Sequence, residues 1–407
     1  MATARTAAGL TQEDLAAALR VERSTVVRWE AGRHAPQSYL WPELARCLQV
    51  STRELGELLT EIDASTAESR GPSTSEVRGA PSAVALVDAV PSLAVLDVLG
   101  PAHTLVVVDD FTRSVVARYE VEGPHRLAPE VSSLRRLCQE LGSRVSGTDE
   151  RQHLVRVSAR QSALLAYMSV NLGRYTDAEH YALEASMLAT AAQDRPLLAW
   201  IKATQSFAAY YQERYQDALT LARVGIQLAG EDAQRIRLLS NGVARAAGKL
   251  GDRYTVDHAI NTAFELLDKA TGPVGMTPCI DFQPYGWART AANAATAYLA
   301  GGDYVRALRL TQELGTVVAA CESDWSRSLV RLDEATALTL GQDADVEHAA
   351  SLGIAALTAS ASKPITSVAS RAKELATALQ RHGRHRAGDE FEAALREWTR
   401  GVPGTTT

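Results

Sequence analysis

Side chains able to do recognition chemistry gather in two parts of this 407-residue chain. Near its start, Arg23, Ser24 and Arg28 share one side of the run Arg23-Ser24-Thr25-Val26-Val27-Arg28-Trp29-Glu30, with Val26 and Trp29 on the other. Guanidinium and hydroxyl groups on one face of a short helix suit hydrogen bonding to phosphates and base edges. Further along, Arg160, Tyr167, Asn171, Trp200, Phe207, Tyr210, Asn241, Arg245, Arg289, Asn293 and Arg331 recur at spacings that a repeated helical scaffold could bring to one surface. Asparagine amides can hold an extended peptide backbone and arginines pair carboxylates bidentately, so this set would take an acidic peptide or a small carboxylate. Trp200 and Phe207 equally fit a core role, as aromatics at helical spacing usually do. Catalytic signatures are missing: the sequence has no G-x-x-x-x-G-K-[ST], no H-E-x-x-H and no G-x-S-x-G. His382-x-x-His385 reads as a solvated turn. We expect no enzyme, no metal and no cofactor.

The elements that position the first set follow from local signals. Thr11 caps a helix whose first turn carries Glu13 and Asp14, where the helix dipole favours negative charge. Leu15 and Leu19 share a face at i, i+4. A short connection leads to the Arg23–Glu30 run, and Gly32 suits the left-handed stop after it. Two short helices joined by a tight turn, the second with an apolar back, describe a helix-turn-helix. Further helices at Leu40–Leu48 and Ser51–Glu61, the latter with a capping box of Ser51 and Glu54, complete the bundle.

The string L-T-Q-x-x-L-A-x-x-L-x-V-x-x-S-T-V-x-R-W-E-x-G-R-x-x-P, from Leu10 to Pro36, resembles the xenobiotic response element (XRE) family, which has the fold of the lambdoid phage repressors. The resemblance covers about residues 1–62. It implies that Gln12 contacts a phosphate and that Glu22, Arg23, Ser24 and Arg28 reach base edges. Thr25, Arg33 and His34 would approach the DNA backbone. Only eight residues precede Gly9, fewer than is usual in the family, and Ala2 to Ala8 could supply two turns of first helix.

Residues 63–82 are rich in Ser, Thr, Gly and Pro and read as a flexible linker. Residues 83–126 form a connecting segment in which Leu105, Val108, Phe111 or Thr112, Val115 and Tyr119 fit an amphipathic helix. From about residue 127 the chain repeats itself. Leu172-Gly173-Arg174-Tyr175 is answered by Gln212-Glu213-Arg214-Tyr215, Gly251-Asp252-Arg253-Tyr254 and Gly301-Gly302-Asp303-Tyr304. The tyrosine spacings of 40, 39 and 50 give a period near 40, the mark of a solenoid. Ala178, Ala218 and Ala307 follow three residues after their tyrosines, small enough for close helix packing. The pattern resembles tetratricopeptide repeats. It predicts the first helix of each pair on an exposed concave face bearing the second set, with the Pro/Gly-rich insertion 271–286 either covering that face, joining a dimer contact or forming a plain surface loop. The repeats would run over 127–400, with 401–407 a disordered tail.

The fold class expected is therefore all-α: an N-terminal helix-turn-helix bundle, a flexible linker and a C-terminal α-solenoid of tetratricopeptide-like helix pairs. A net charge of −6 argues against indiscriminate coating of nucleic acid. Residues 1–60, with seven arginines and seven acids, are neutral, so the excess lies beyond the head. The four cysteines lie far apart and read as buried thiols. No signal peptide or membrane span is apparent, and the protein is expected to be cytoplasmic. Architecture and alanine/arginine richness suggest an actinobacterial transcription regulator, homodimeric on an imperfectly palindromic double-stranded DNA operator. A regulator whose repeats bind only a protein partner, or an interaction scaffold, are the alternatives.

Overall fold

The capping signal at Thr11 opens a helix where the sequence places it. The computed structural model describes residues 2–19, 21, 23–30, 41–50, 93–230, 234–269 and 275–400. In the first sixty residues they form α1 (Ala2–Ala7), α2 (Gln12–Leu19), α3 (Arg23–Glu30) and α4 (Trp41–Leu48). Thr11 and Asp14 cap α2 reciprocally: the Asp14 backbone N–H donates to Thr11 Oγ1 (3.1 Å), and the Thr11 N–H to Asp14 Oδ2 (2.9 Å). Leu15, Leu19, Val26, Trp29, Leu44 and Leu48 form one apolar core. The helix expected at Ser51–Glu61, the linker expected at 63–82, Gly32, Pro36 and the tail expected at 401–407 lie outside the described residues.

The chain divides into two units, Met1–Ala80 and Pro81–Thr407. The second opens with α5 (Leu93–Glu122), interrupted at Gly100-Pro101, where Gly100 adopts φ 75°. Its later part buries Leu105, Val108, Thr112, Val115 and Tyr119, the expected stripe. Then follow α6 (Pro124–Leu141) and a series of helix pairs: α7 (Thr148–Asn171) with α8 (Tyr175–Ala191), and α9 (Arg195–Tyr211) with α10 (Tyr215–Ala229). The first helix of the third pair is composite: α11 (Gln234–Arg237), a π-helical stretch (Leu238–Ala244) and α12 (Arg245–Lys249) run on to one another and pair with α13 (Arg253–Lys269). Next come α14 (Trp287–Ala300) with α15 (Tyr304–Glu313), the short α16 (Gly315–Ala319), α17 (Asp324–Leu340) with α18 (Val346–Ser360), and α19 (Thr366–Gln380) with α20 (Arg386–Arg400). The described residues contain no strand, and the region after the head is helical and repeat-like.

The turns inside the pairs explain the recurrent glycine. Gly173, Gly251 and Gly302 all take positive φ between 71° and 77°. In α9–α10 the same position is Glu213, held at φ 61° despite its side chain. The alanines three residues beyond the tyrosines are buried: Ala178, Ala218 and Ala307. Tyr254 is 81 % exposed, whereas Tyr175, Tyr215 and Tyr304 are half-buried.

The concave face is not open, contrary to expectation. Helices late in the unit return to the early ones: Trp325 of α17 packs edge-on to Tyr119 of α5, with ring centroids 5.5 Å apart. Thr366 Oγ1 of α19 donates to the Asn171 carbonyl (3.1 Å). Residues 275–286 also lie against the inner helices. The Trp200 indole N–H donates to the Asp281 carbonyl (2.9 Å), Gln234 Nε2 donates to the Phe282 carbonyl (2.5 Å), and Phe282 packs on Trp200 at 4.9 Å. The insertion therefore covers inner helix faces, and most of the residues expected to be exposed along a groove line a cleft or the core behind it.

Candidate functional site

In the head, α3 turns Val26 and Trp29 into the core and leaves Arg23 and Val27 exposed, 23 and 27 being one turn apart. Arg23 lies 3.5 Å from Glu13, with both side chains more than half exposed. Such a surface pair is worth about 0–1 kcal/mol, so Arg23 is free to exchange it for another anion. Gln12 and Thr25 are half-buried. Ser24 and Arg28 fall within α3, but their side chains lie outside the described residues, as do Glu22, Arg33 and His34.

Gln12 sits in a network that the sequence alone did not suggest. Its Nε2 donates to Glu30 Oε2 (2.7 Å), and Arg5 of α1 donates through Nε to Glu30 Oε1 (2.6 Å) and through Nη1 to the Leu10 carbonyl (2.6 Å). Burial alone would raise the Glu30 carboxyl; the bonds from Arg5 and Gln12 outweigh it and hold the group below its ordinary range. Glu30 thus ties α1, the start of α2 and the end of α3 together, and α1, although only six residues long, is anchored by Arg5. The bond to Glu30 uses one hydrogen of the Gln12 amide and leaves the other beside the α2 N-terminus, a setting that suits an anion.

A family model for helix-turn-helix proteins matches residues 1–55. Residues 1–55 are an XRE-family helix-turn-helix domain. The match supports a DNA-binding transcription regulator. Comparison with curated proteins gives no match. Among the described residues, no helix is long and apolar enough to cross a membrane.

In the second unit, Tyr167, Asn171, Phe207, Asn241, Arg245, Arg289 and Asn293 line a single small cleft of about 50 Å³, joined by Glu120, Tyr211, Cys279, Tyr285, Trp325, Ser326 and Arg371. Seven of the eleven residues that the sequence offers for that face meet there. Four do not. Trp200 is fully buried behind the cleft, its indole N–H bonded to Asp281. Tyr210 is buried under the Arg245 guanidinium, 4.3 Å from its ring centroid. Arg160 pairs with Asp109 (3.5 Å) on the flank and lies over the Phe282 ring. Arg331 is half-buried outside the cleft; on the same helix it is Ser326 and Leu329 that face in.

Two ion pairs organise the cleft walls. Arg289 Nη2 donates to Glu120 Oε1 (2.9 Å), while its Nε donates to the Thr277 carbonyl (2.7 Å). Glu120 also accepts from Ser326 Oγ (2.9 Å) and from the Cys279 backbone N–H (2.7 Å). Burial pushes this carboxyl up, and Arg289 with the hydrogen bonds reverses the shift, leaving it below the ordinary value. On the far side, Arg371 Nε donates to Asp333 Oδ1 (2.7 Å) and its Nη2 to Thr296 Oγ1 (2.8 Å). Burial, then the Glu120 charge, raise the Cys279 thiol to about 12.

Glu120 escaped the sequence reading because it lies in the connecting segment before the repeats. Arg371 was missed because the register extended only to Arg331. Arg237 was legible in principle, since Arg237, Asn241 and Arg245 recur every four residues. A π-turn accommodates an extra residue and slows the rotation of the helix face, which keeps such a series aligned. Arg237 itself lies behind the cleft, 99 % buried, between the rings of Tyr167 (5.4 Å), Trp200 (4.7 Å) and Tyr285 (5.1 Å).

Proposed function

We propose that this protein is a sequence-specific transcription regulator in which the XRE-type head binds DNA and the helical unit senses a signal or mediates dimerisation. The observation that carries the reading is the matched helix-turn-helix over residues 1–55, with α3 apolar behind and Arg23 exposed in front. Gln12, Glu22, Arg23, Ser24, Thr25, Arg28 and Arg33 are the proposed DNA contacts. Arginine suits guanine O6/N7 and glutamate can accept from the cytosine amino group. Two such heads on a two-fold axis reach half-sites about 34–36 Å apart, so a homodimer on an imperfect palindrome is the expected assembly. The helix pairs, with left-handed turns and buried alanines, are proposed to be tetratricopeptide-like repeats over 127–400, preceded by a linker at 63–82. A cytoplasmic location and an actinobacterial source belong to the same proposal. Footprinting of the full chain on the region upstream of its own gene tests it: salt-sensitive protection of an inverted repeat is expected. Absence of protection at any promoter, in a genome-wide pull-down as well, would reject the regulator reading.

A further inference from the structure

The cleft in the helical unit is rich in donors and poor in acceptors. Arg245, 97 % buried, donates through Nη1 to Asn241 Oδ1 (2.6 Å) and through Nη2 to Tyr211 Oη (3.0 Å), while its Nε has no partner. Asn293, about nine-tenths buried, has an unpartnered amide nitrogen. Tyr211 Oη accepts from Arg245 and, at 3.5 Å, from Arg371, so its own O–H is left to donate elsewhere. Buried donors left without a partner are costly, a charged one most of all, and a ligand that satisfies them recovers that free energy on binding.

The charge balance fixes the ligand's valence. Arg289 is paired with Glu120 and Arg371 with Asp333, which leaves Arg245 as the one lining cation without a direct ion pair among the described residues. A group that only accepts hydrogen bonds and carries a single negative charge matches this arrangement, and an ionised carboxylate is such a group. The walls beside it are rings and aliphatic side chains, among them Phe207, Trp325 and Ile365. As a cavity the cleft is small, about 50 Å³, so it encloses little more than the head group of a compact ligand. An extended peptide has no room here, because the backbone that Trp200, Gln234 and Arg289 bind is the chain's own segment at 277–282.

We propose that the cleft binds a compact monocarboxylate with an aromatic or branched apolar body, its carboxylate on Arg245, Tyr211 and Asn293. This deepens the sensor reading of the helical unit and narrows its ligand class. The test is calorimetric titration of the full-length protein with phenylacetate, with uncharged phenylacetamide, with the dianion phthalate and with an acidic heptapeptide. Saturable binding of phenylacetate is expected, with phenylacetamide and phthalate at least tenfold weaker. Arg245→Met should abolish the binding and Arg245→Lys restore part of it. Because Arg245→Met could unfold the unit, Asn293→Ala is measured beside it and should weaken binding several-fold at an unchanged circular dichroism spectrum. Equal affinity for the amide and the acid, preference for the peptide, or no binding of phenylacetate would each overturn the proposal. The DNA affinity of the same protein with and without phenylacetate separates the two readings: binding without any change at the operator leaves the site standing and refutes sensing.

Discussion

Close approach of helix backbones at Gly248 holds the cleft in register, and adding one methyl group there tests it. A Cβ on Gly248 would lie 2.6 Å from the Ala297 carbonyl oxygen, 3.1 Å from Ala300 Cβ and 3.3 Å from the Gly301 nitrogen. The first of these is backbone and cannot swing aside, so α12 and the end of α14 must separate. Overpacking of this kind costs about 1–3 kcal/mol, and a backbone obstacle places it in the upper half of that range. Exchanging glycine for alanine inside a helix recovers about 1 kcal/mol. The balance is a loss of about 1–2 kcal/mol. Urea unfolding followed by circular dichroism should give a lower midpoint at unchanged slope, and Tm should fall by about 1–3 °C. Gly315→Ala is the control, because nothing lies within 4 Å of where its methyl group would stand, and its stability should be equal to or slightly above that of the parent. Arg245 is one turn before Gly248, and Asn293 one turn before Ala297, so the displacement also moves two cleft donors apart. A Gly248→Ala protein as stable as the parent would show that the two helices do not depend on this close contact.

Other perturbations have signs fixed by the structure. Glu213 occupies a left-handed turn position, where a residue with a Cβ pays about 1–2 kcal/mol, so Glu213→Gly should raise the urea midpoint despite its greater unfolded-state entropy. Trp29→Ala, at a buried position in the head core, should cost about 3–5 kcal/mol and abolish DNA retention while the helical unit's thermal transition persists. The Glu120 carboxyl is held below its unfolded value, so its stabilisation is present above about pH 4.3 and is lost as pH falls through the folded value. Thermal unfolding between pH 6 and 3 should show that loss, and Glu120→Gln should flatten it. The Cys279 thiol, raised to about 12 by burial and by Glu120, holds about a thousandfold less thiolate than an ordinary cysteine, so mass spectrometry should find its alkylation slow at pH 8 until the protein is unfolded.

The parts legible in the sequence were those governed by local chemistry. Thr11 with Asp14, the Val26/Trp29 back of α3 and the glycine turns of the repeats are short-range signals, and each sits where its local chemistry requires. Registering the first helix of each pair was enough to collect Asn171, Asn241, Arg245, Arg289 and Asn293, because a repeated scaffold converts equal spacing into one shared face. Closure of that face was not legible. It depends on contacts between Tyr119 and Trp325 and between Asn171 and Thr366, some two hundred residues apart, which no periodicity encodes. For the same reason Glu120 and Arg371 entered the site unannounced, and Trp200 and Tyr210 passed from the groove to the core. Glu30 belongs to a motif in the sequence, and its physical role emerges only where Arg5 and Gln12 converge on it.

Everything proposed for the first unit depends on α3 reading DNA. Selection of the full-length protein against a random duplex library, followed by titration on the enriched sequence, measures this without intermediaries. An inverted repeat with half-sites one helical turn apart is expected, with affinity falling steeply as salt rises. Arg28→Ala should lose about 1–3 kcal/mol at that site and relax preference at a single base pair. No enriched sequence, or an Arg28→Ala protein of unchanged affinity and specificity, would mean that α3 is not the reading helix.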